Sequence, residues 1–181
     1  MLLLIGIAGR ARSGKDTVAD FIISRTGACK YSFAEPLKKM LLPLGIDMSD
    51  LYWQENKETV IPDFNASPRR LMQTLGTEWG RQLIHPDLWL NLAHQKLEQC
   101  VDGMVVSDVR FENEATWVRN QGGVIIHVRR DSAPFVEKHT SEHGIMMYHA
   151  KDYLLNNDGT LEDLRTQVIQ LLILLQIRHG Q

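Results

Sequence analysis

One nine-residue segment constrains the fold of this chain more than any other, because it contains glycine and joins a strand-like run to a helix-like stretch. The segment, Gly9 to Thr17, follows the apolar run Leu2 to Ala8 and precedes the helix-like stretch Val18 to Ile23. A strand, a glycine-bearing loop ending in Gly-Lys, and then a helix is the order that a P-loop requires. Its backbone N–H groups and the positive end of the helix would hold phosphate oxygens, with Lys15 reaching the β and γ groups of a nucleotide.

The residue types inside this segment suit phosphate and metal binding. We expect the nucleotide phosphates to contact Gly9, Arg12, Ser13, Gly14 and Lys15. The position after the lysine usually carries a hydroxyl that binds magnesium, but here it is Asp16, and the hydroxyl comes next at Thr17. Asp16 could bind Mg²⁺ through water, accept a hydrogen bond from the acceptor, or only cap the helix, while Thr17 could contact phosphate. The direct metal ligands stay open at this point.

Four short apolar runs predict the strands of a sheet. In each run the apolar residues follow one another directly instead of alternating with polar ones, and segments of helical period separate the runs. The four runs are Leu2 to Ala8, Cys29 to Ala34, Met104 to Ser107 and Val124 to Val128. This alternation is typical of a parallel sheet covered by helices on both faces. The predicted fold is therefore α/β, a three-layer sandwich of the P-loop NTPase type, with residues 1–181 forming one domain. Ligands of such sheets bind at the carboxyl ends of the strands.

Charge and composition argue against large anionic partners. The net charge of -2 gives no general attraction for nucleic acid or for a membrane surface. Cys29 and Cys100 lack metal-ligand spacing and are expected to be reduced and packed. The apolar start lacks the basic residues of a signal peptide, and the apolar stretch 168–177 is far shorter than the ~20 residues of a membrane span. We expect a soluble, cytoplasmic protein that acts on small molecules.

A helix is predicted to begin at Ser67, where an N-cap residue is followed by proline. Apolar residues recur every fourth position along it, at Leu71, Leu75 and Trp79. That stripe would leave Arg69 and Gln73 on the opposite face, toward a cleft or solvent. Because Arg69 would also lie at the N-terminus of the helix, a place suited to anions, we expect it to bind the acceptor.

The last helix is predicted to begin near Thr160, with Asp163 three residues later as a weaker form of the capping box. Its apolar residues form one stripe: Leu161, Leu164, Val168, Leu171 and Leu175. This stripe is most simply part of the core. Its three-four spacing also suits a contact between two copies of the helix in a homodimer.

Two segments without a clean period are candidates for mobile cover over the site. The first, about 44–66, would cover the acceptor, and the second, about 129–149, would act as a lid. Arg129 and Arg130 begin the second segment directly after the last predicted strand, where they could close over ATP.

A carboxylate and further charges lie where phosphoryl transfer would use them. Asp108 ends an apolar run, where P-loop enzymes place a carboxylate beside the metal and the reacting phosphate, and Arg110 follows it. Such an aspartate can also be a simple turn former, and a single arginine is often a surface charge. Glu35, with Lys38 after it, could face the acceptor or only cap the next helix. The histidines show no metal-ligand spacing and are expected to be structural or exposed.

Five strings, spread over nearly the whole chain, resemble the phage-type deoxynucleoside monophosphate kinases, a branch of the P-loop nucleotide kinases. They are Gly9 to Thr17, Phe33 to Lys38, Arg70 to Arg81, Asp108 to Ala115 and Asn157 to Thr160. The P-loop is shared by many families, whereas Gln-Thr-Leu-Gly-Thr-Glu-Trp-Gly-Arg and Asp-Val-Arg-Phe are far more specific.

This resemblance implies ATP with Mg²⁺, small-molecule nucleotide substrates, and acceptors such as dGMP, dTMP or a modified dCMP. It places Arg70, Gln73 and Trp89 around the acceptor, with Asn157 to Gly159 near the adenine. It also places Asp108 and Arg110 near the phosphates. We expect the catalytic group to be Lys15, Asp108, Arg110 and Arg129, with Mg²⁺ near Asp16, Thr17 and Asp108, directly or through water. A phage-encoded enzyme of this kind would act in the host cytoplasm.

Two other functions would use the same features. Phosphomevalonate and dephospho-coenzyme A kinases have similar loops, and a panel of acceptors separates them from a nucleotide kinase. A regulator that holds ATP without transferring phosphate would show no acceptor-dependent release of ADP. The P-loop, the strand-end Asp108 and the arginines together favour a transferase.

Overall fold

The computed structural model describes residues 3–52, 56–132, 145–147, 150 and 152–179. Within these ranges the strands form one parallel sheet with the order β2-β3-β1-β4-β5. The strands are β1 (Leu4–Ala8), β2 (Cys29–Tyr31), β3 (Met104–Val109), β4 (Val124–Arg129) and β5 (Asp152–Asn156). The predicted parallel sheet is confirmed.

The sequence pattern misses β5 and overestimates β2. The five residues of β5 begin with Asp152 and end with Asn156, so they do not form the apolar run that marks the other strands. Strand β2 stops at Tyr31, three residues before its predicted end. The Ser32 hydroxyl accepts a hydrogen bond from the Ala34 N–H at 3.2 Å, which turns the chain into the next helix.

The described helices connect these strands. The α-helices are α1 (Lys15–Thr26), α2 (Ala34–Leu41), α3 (Met48–Tyr52), α4 (Pro68–Gln73), α5 (Leu88–Glu98), α6 (Glu112–Asn120) and α7 (Leu161–His179). Short 3₁₀ turns cover Leu42–Leu44 and Pro62–Phe64, and Thr74–Ile84 is π-helical. Among the described residues, no helix has both the length and the apolar content needed to cross a bilayer.

Helices cover both faces of the sheet. On one face, α1 and α7 bury their apolar residues against the strands, in a cluster that includes Ile5, Ile126, Ile22 and Leu171. On the other face, α6 packs closely over β1, because Gly6 has no side chain and leaves room for Val118. This arrangement confirms the three-layer α/β fold.

Helix α7 begins as its sequence indicates. The Asp163 N–H donates to Thr160 Oγ1 at 3.2 Å, and the Thr160 N–H donates to Asp163 Oδ2 at 2.8 Å, which closes a reciprocal cap. Four residues of its apolar stripe are buried in the sheet core: Leu164, Val168, Leu171 and Leu175. Leu161 is 53% exposed. The core interpretation therefore holds for four of the five residues, which leaves the stripe little surface for a partner helix.

A buried ionic cluster joins α6, β4 and β5. Asp152 has a fully buried side chain and accepts hydrogen bonds from Arg119 Nε at 3.1 Å and Arg119 Nη2 at 2.8 Å. His127 Nε2 lies 3.1 Å from Asp152 Oδ2. A buried carboxylate needs such partners to offset its desolvation. His127 is thus structural, as its lack of metal-ligand spacing indicated.

The chain separates into two compact units. The sheet unit contains Met1–Tyr31 and His94–Gln181, and the helical unit contains Ser32–Ala93. The small core of the helical unit is built on Leu41, Ile46 and Leu51. The segment about 44–66, predicted to cover the acceptor, belongs to this unit.

The helical period predicted from Ser67 onward is wrong beyond Gln73, because the helix becomes π-helical over Thr74–Ile84. Leu71 and Leu75 pack on the helical core as expected, but Trp79 is 37% exposed and lies outside that cluster. The reason is the Gly76 carbonyl, which accepts hydrogen bonds from Trp89 Nε1 and Arg81 Nη1, each at 2.8 Å. Side chains that take over a helix carbonyl interrupt the regular ladder, so residues beyond Gln73 change face.

The two cysteines, distant in sequence, are neighbours in the fold. Both are free, with Cys100 buried and Cys29 half-buried. Burial and a hydrogen bond with Cys29 raise the pKa of the Cys100 thiol to about 11. Such a thiol stays protonated at neutral pH, in keeping with the predicted reduced, packed state.

Candidate active site

The loop between β1 and α1 has the backbone shape that the glycine spacing predicts. Its φ angles are positive at Gly9 (153°), Arg12 (61°) and Gly14 (99°). A side chain at Gly9 would come within 2.4 Å of the Val128 carbonyl oxygen, so the loop also needs glycine there for space. Backbone turns of this kind direct successive N–H groups into one concavity that suits an anion.

A buried hydroxyl within this loop has no hydrogen-bond partner in the described part of the chain. Ser13 is 1% exposed, and its Oγ is unsatisfied. A buried polar atom of this kind costs free energy unless a ligand or water supplies its partner. Ser13 Oγ therefore supports the prediction that an anion fills the loop.

Lys15 is the first residue of α1 and lies across the loop. Its Nζ donates a hydrogen bond to the Arg10 carbonyl oxygen at 2.6 Å. A flexible lysine in this place can exchange one carbonyl for phosphate oxygens at small cost.

Asp16 and Thr17 occupy the first turn of α1. The Asp16 side chain is 79% exposed, and its carboxylate lies 4.0 Å from Lys30 Nζ. Thr17 is half-buried. No group of three His, Cys, Asp or Glu side chains in the described ranges could enclose a metal ion by itself.

The turn after β3 holds Asp108 and Arg110 in place. Asp108 is half-buried near the end of β3. The buried Glu114 carboxylate accepts hydrogen bonds from the Arg110 N–H at 2.8 Å and the Phe111 N–H at 3.1 Å. Glu114 thus caps α6 and sets the turn that presents Asp108 and Arg110.

The ends of β4 and β5 lie side by side, with Arg129 paired in register with Asn156. Arg129 donates to both Asp131 carboxylate oxygens, at 2.7 and 3.1 Å, and this pair lowers the pKa of Asp131. Arg130 Nε donates to Ser132 Oγ at 3.2 Å. Most of the predicted lid, residues 133–144 and 148–149, lies outside the described residues.

Asn157, which follows β5, contacts the P-loop directly. Its Nδ2 donates to the Ser13 carbonyl oxygen at 2.8 Å. Gly159 is exposed in the same connection before α7. The sheet unit therefore brings the P-loop, Asp108, Arg110, Arg129 and Asn157 to the carboxyl ends of neighbouring strands.

In the helical unit, the two predicted arginines at the start of α4 are held by carboxylates. Arg69 Nε pairs with Glu58, and the Arg69 N–H donates to the Lys57 carbonyl oxygen at 3.0 Å. Arg70 Nη1 lies 3.5 Å from Glu78 Oε1, and the Arg70 side chain is 59% exposed. Gln73 is the last residue of α4 and is half-buried.

A second group in the helical unit surrounds Glu35. Tyr52 Oη donates to the Glu35 carboxylate, 2.9 Å from both oxygens, and Lys38 Nζ lies 3.8 Å from the centre of the Tyr52 ring. Burial and the Glu35 carboxylate raise the pKa of Tyr52, so its hydroxyl is a donor at neutral pH. The structure thus connects two predicted acceptor residues through a tyrosine.

Trp89 has a packing position that does not suit contact with an acceptor. It is 2% exposed, and its indole N–H is hydrogen-bonded to Gly76. A side chain at Gly80 would approach the Trp89 ring to 2.5 Å, so the ring lies directly on the bare backbone of the π-helical segment. We therefore reassign Trp89 from acceptor contact to support of that segment.

Sequence reasoning missed three supporting residues: Glu114, Tyr52 and Glu58. Glu114 has one local signal, since a glutamate at the third helical position often caps a helix. This signal is hidden because the N-cap residue is Phe111, which has no capping oxygen. Tyr52 and Glu58 carry no signal of this kind, since their partners lie 17 and 11 residues away.

Comparison with known proteins decides the family. The model of the deoxynucleotide monophosphate kinases matches residues 3–51 and 45–168. The chain belongs to the deoxynucleotide monophosphate kinase family. This kinase is 34% identical to a protein of Acanthamoeba polyphaga mimivirus that carries the family name, over 93% of this chain and 95% of the relative. It is 27% identical to the deoxynucleoside-5'-monophosphate kinase of Escherichia phage T5, over 93% and 95% of the two chains.

Solved structures agree on the fold of this kinase. The crystal structure of TT1252 from Thermus thermophilus superposes with a TM-score of 0.54 at 18% identity, over 95% of this chain and 97% of that one. Dephospho-CoA kinase from Campylobacter jejuni superposes with a TM-score of 0.50 at 13% identity, over 98% of each chain. At such identities the likeness concerns the fold alone. Family membership makes the chain a nucleotide kinase, a phosphotransferase with a phosphate group as acceptor.

Proposed function

We propose that this kinase transfers the γ-phosphoryl group of ATP, with Mg²⁺, to a deoxynucleoside 5'-monophosphate, with dGMP, dTMP or a modified dCMP as the favoured acceptors. The observation that carries the ATP assignment is the loop of positive-φ residues around the unsatisfied, buried Ser13 Oγ, with Lys15 at its end. The family name supports the choice of acceptor.

On the donor side, each residue has a distinct use. The amides of Gly9 to Gly14 and the start of α1 would hold the phosphate oxygens, and Lys15 would leave the Arg10 carbonyl to bind the transferred group. Arg12, Arg110, Arg129 and Arg130 would spread the charge that develops during transfer. Arg129 would exchange Asp131 for phosphate, which an exposed ion pair permits because such pairs contribute little stability.

The acidic residues present fit a magnesium ion. Mg²⁺ keeps several waters and takes one or two carboxylates together with substrate phosphates, so a closed protein cage is not required. The exposed Asp16 and the strand-end Asp108 would hold it, directly or through water, with Thr17 beside them. The ion would neutralise charge on the phosphates.

The helical unit would supply the acceptor contacts. Arg69 and Arg70 at the start of α4 suit a phosphate, because an arginine fork matches two phosphate oxygens. Gln73, Glu35 and Lys38 would contact the nucleoside. The acceptor phosphate is already an anion at neutral pH, so positioning rather than a general base drives the reaction.

The proposal is tested by ADP release from ATP and Mg²⁺ with a panel of acceptors. The panel contains the four common dNMPs, a 5-substituted dCMP, the corresponding NMPs, phosphomevalonate and dephospho-coenzyme A. We expect turnover with dNMPs, dGMP or dTMP among them, and a loss of roughly 10²-fold or more in kcat for Lys15→Ala, because a donor to the developing charge is removed.

Lys96→Ala provides the matched control, since it removes a lysine of the sheet unit that lies near Cys100. Cys100 neighbours Cys29, the first residue of β2, at the edge of the sheet opposite the P-loop. The kcat of Lys96→Ala should equal that of the wild type. Turnover with dephospho-coenzyme A or phosphomevalonate alone would contradict the acceptor assignment. Normal turnover by folded Lys15→Ala would contradict the proposed site.

A further inference from the structure

Asn157 is bonded to two other strand-end segments at once. Its backbone N–H donates to the Arg129 carbonyl oxygen at 2.8 Å, and its side-chain Nδ2 donates to the Ser13 carbonyl oxygen at 2.8 Å. One residue therefore connects the end of β5 to the end of β4 and to the P-loop. All three segments belong to the sheet unit.

The contact falls on a position of the P-loop that has no room for a side chain. Gly14 has a φ of +99°, and a side chain there would lie 2.3 Å from Asn157 Nδ2. The amide of Asn157 thus packs directly against the bare α-carbon of Gly14 while it binds the preceding carbonyl.

This hydrogen bond sets the direction of a phosphate-binding group. The peptide between Ser13 and Gly14 is trans, and in a trans peptide the C=O and the N–H point in opposite directions. Because Asn157 holds the Ser13 carbonyl, it also fixes where the Gly14 N–H points. That N–H is one of the loop donors expected to meet the nucleotide phosphates.

The support behind Asn157 is itself tied down. Gln167 on α7 accepts a hydrogen bond from the Asn156 N–H at 3.0 Å and donates to the Asn156 carbonyl at 2.9 Å. On the other side, Asp158 Oδ1 accepts from the Asp131 N–H at 2.8 Å. Because these hydrogen bonds hold the backbone on both sides of Asn157, its side chain can keep a loop peptide in one orientation.

We propose that Asn157 is a positioning residue that orients the Ser13–Gly14 peptide for phosphate binding, and that its amide acts on the loop rather than on the nucleobase. This inference rests on the proposed use of a nucleoside triphosphate. It assigns Asn157 a role different from the adenine contact that the family resemblance implied.

The two roles predict different dependence on the base. We would measure the affinities of ATP, GTP and inorganic tripolyphosphate, each with Mg²⁺, for the wild type and for Asn157→Ala by calorimetry. A residue that orients the loop should weaken all three ligands by a similar factor, about tenfold, the usual effect of one lost hydrogen bond. KM for the dNMP acceptor should stay unchanged.

Two further variants serve as controls for the effect of Asn157→Ala. Asn157→Leu keeps the side-chain volume and removes the donor, so it should reproduce the loss if Asn157→Ala folds poorly. Asn156→Ala changes the exposed neighbour, whose two hydrogen bonds with Gln167 use its backbone, and should bind all three ligands normally. Thermal unfolding without ligand shows that each variant is folded.

A loss confined to ATP, with GTP and tripolyphosphate bound normally, would overturn the proposal in favour of an adenine contact. Unchanged affinity for all three ligands would also overturn it. Failure of the wild-type protein to bind any of the three would instead contradict the proposed function.

Discussion

The sheet unit and the helical unit hold their functional groups in different ways. In the sheet unit, the candidate site combines side chains with the backbone amides of the P-loop, whose directions are fixed by glycine geometry and by Asn157. The buried Glu114 binds backbone amides as well, and so sets the turn that carries Asp108 and Arg110. In the helical unit, the predicted acceptor groups are side chains held by other side chains: Arg69 by Glu58, Arg70 by Glu78, and Glu35 by Tyr52.

This difference has a consequence for specificity. A phosphate chain is the same in every nucleoside triphosphate, so a backbone-built site can be rigid and general. An acceptor differs in base and sugar, and exposed side-chain pairs can be exchanged without rebuilding the fold. We therefore expect substitutions in the sheet unit to change donor binding, and substitutions in the helical unit to change acceptor binding.

Among the substitutions that test this comparison of the two units, Gly14→Ala should have the largest effect. The new methyl group would collide with Asn157 Nδ2 at a φ of +99°, so the loop amides would move and ATP affinity should fall at least about tenfold. Gly45→Ala is the matched control, because its φ is +81° with nothing within 4 Å of the added carbon. Gly45→Ala should lose about 1 kcal/mol of stability from its positive φ alone. Gly14→Ala should lose more because of the added collision, and only this variant should lose ATP affinity. Equal ATP affinity in the two variants would contradict the claim that the backbone geometry of the sheet unit sets donor binding.

A smaller effect is expected for Glu114→Ala. Removing this buried carboxylate deletes its hydrogen bonds to the Arg110 and Phe111 amides, which costs about 1–3 kcal/mol and loosens the turn that carries Asp108. The midpoint of urea unfolding and kcat should both fall. Glu114→Gln keeps an acceptor oxygen, so it should recover part of the stability and part of kcat. Glu162→Ala on the exposed side of α7 should change neither. A fall in stability with normal kcat would show that the turn has no catalytic use.

Tyr52→Phe tests the helical unit. It removes the hydrogen bonds to Glu35 while keeping the ring beside Lys38, so acceptor KM should rise about three- to tenfold with ATP KM unchanged. Tyr153→Phe makes the same chemical change on β5 of the sheet unit, and we expect normal acceptor KM there. If ATP KM rises as much as acceptor KM in Tyr52→Phe, the two units do not divide the substrates.

The smallest effect concerns stability alone. Hydrogen bonds from Thr160 lower the pKa of Asp163 below its ordinary value of 3.8. A carboxylate with a lowered pKa stabilises the fold above that ordinary value and loses the contribution as pH falls through the folded value. Asp163→Asn should therefore have a lower Tm than the wild type at pH 7, and the gap should close below pH 4. Both KM values should stay normal, and a gap that persists in acid would exclude this origin.

The backbone geometry of the candidate donor site could be predicted because its signals are local. Gly9, Gly14 and Lys15 lie within seven residues, and positive φ angles and a following helix are properties of neighbouring positions. The start of α7 at Thr160 is local for the same reason. The strand β5 was missed because Asp152 and Asn156 at its two ends leave only a short apolar run. The burial of Asp152 is offset by partners that are distant in sequence, among them Arg119 and His127.

The acceptor side shows the opposite case. The pattern of Leu71, Leu75 and Trp79 predicts one helical face, but the Gly76 carbonyl is taken by Trp89, thirteen residues away, and the helix widens. Trp89 itself was expected to meet the acceptor, and instead packs on Gly80. Local periodicity cannot reveal a partner that arrives from another helix.

The amino-acid sequence alone determined the P-loop, four of the five strands that the structure describes and, through its longer strings, the family. These depend on residues close together in the chain, whose spacing directly sets backbone conformation. Only the tertiary structure decided which side chains hold the functional groups. Ser13 and Asn157 are 144 positions apart, and the hydrogen bond between them exists because β1 and β5 flank β4 in one parallel sheet. Which distant residues meet is a property of packing, and no local pattern encodes it.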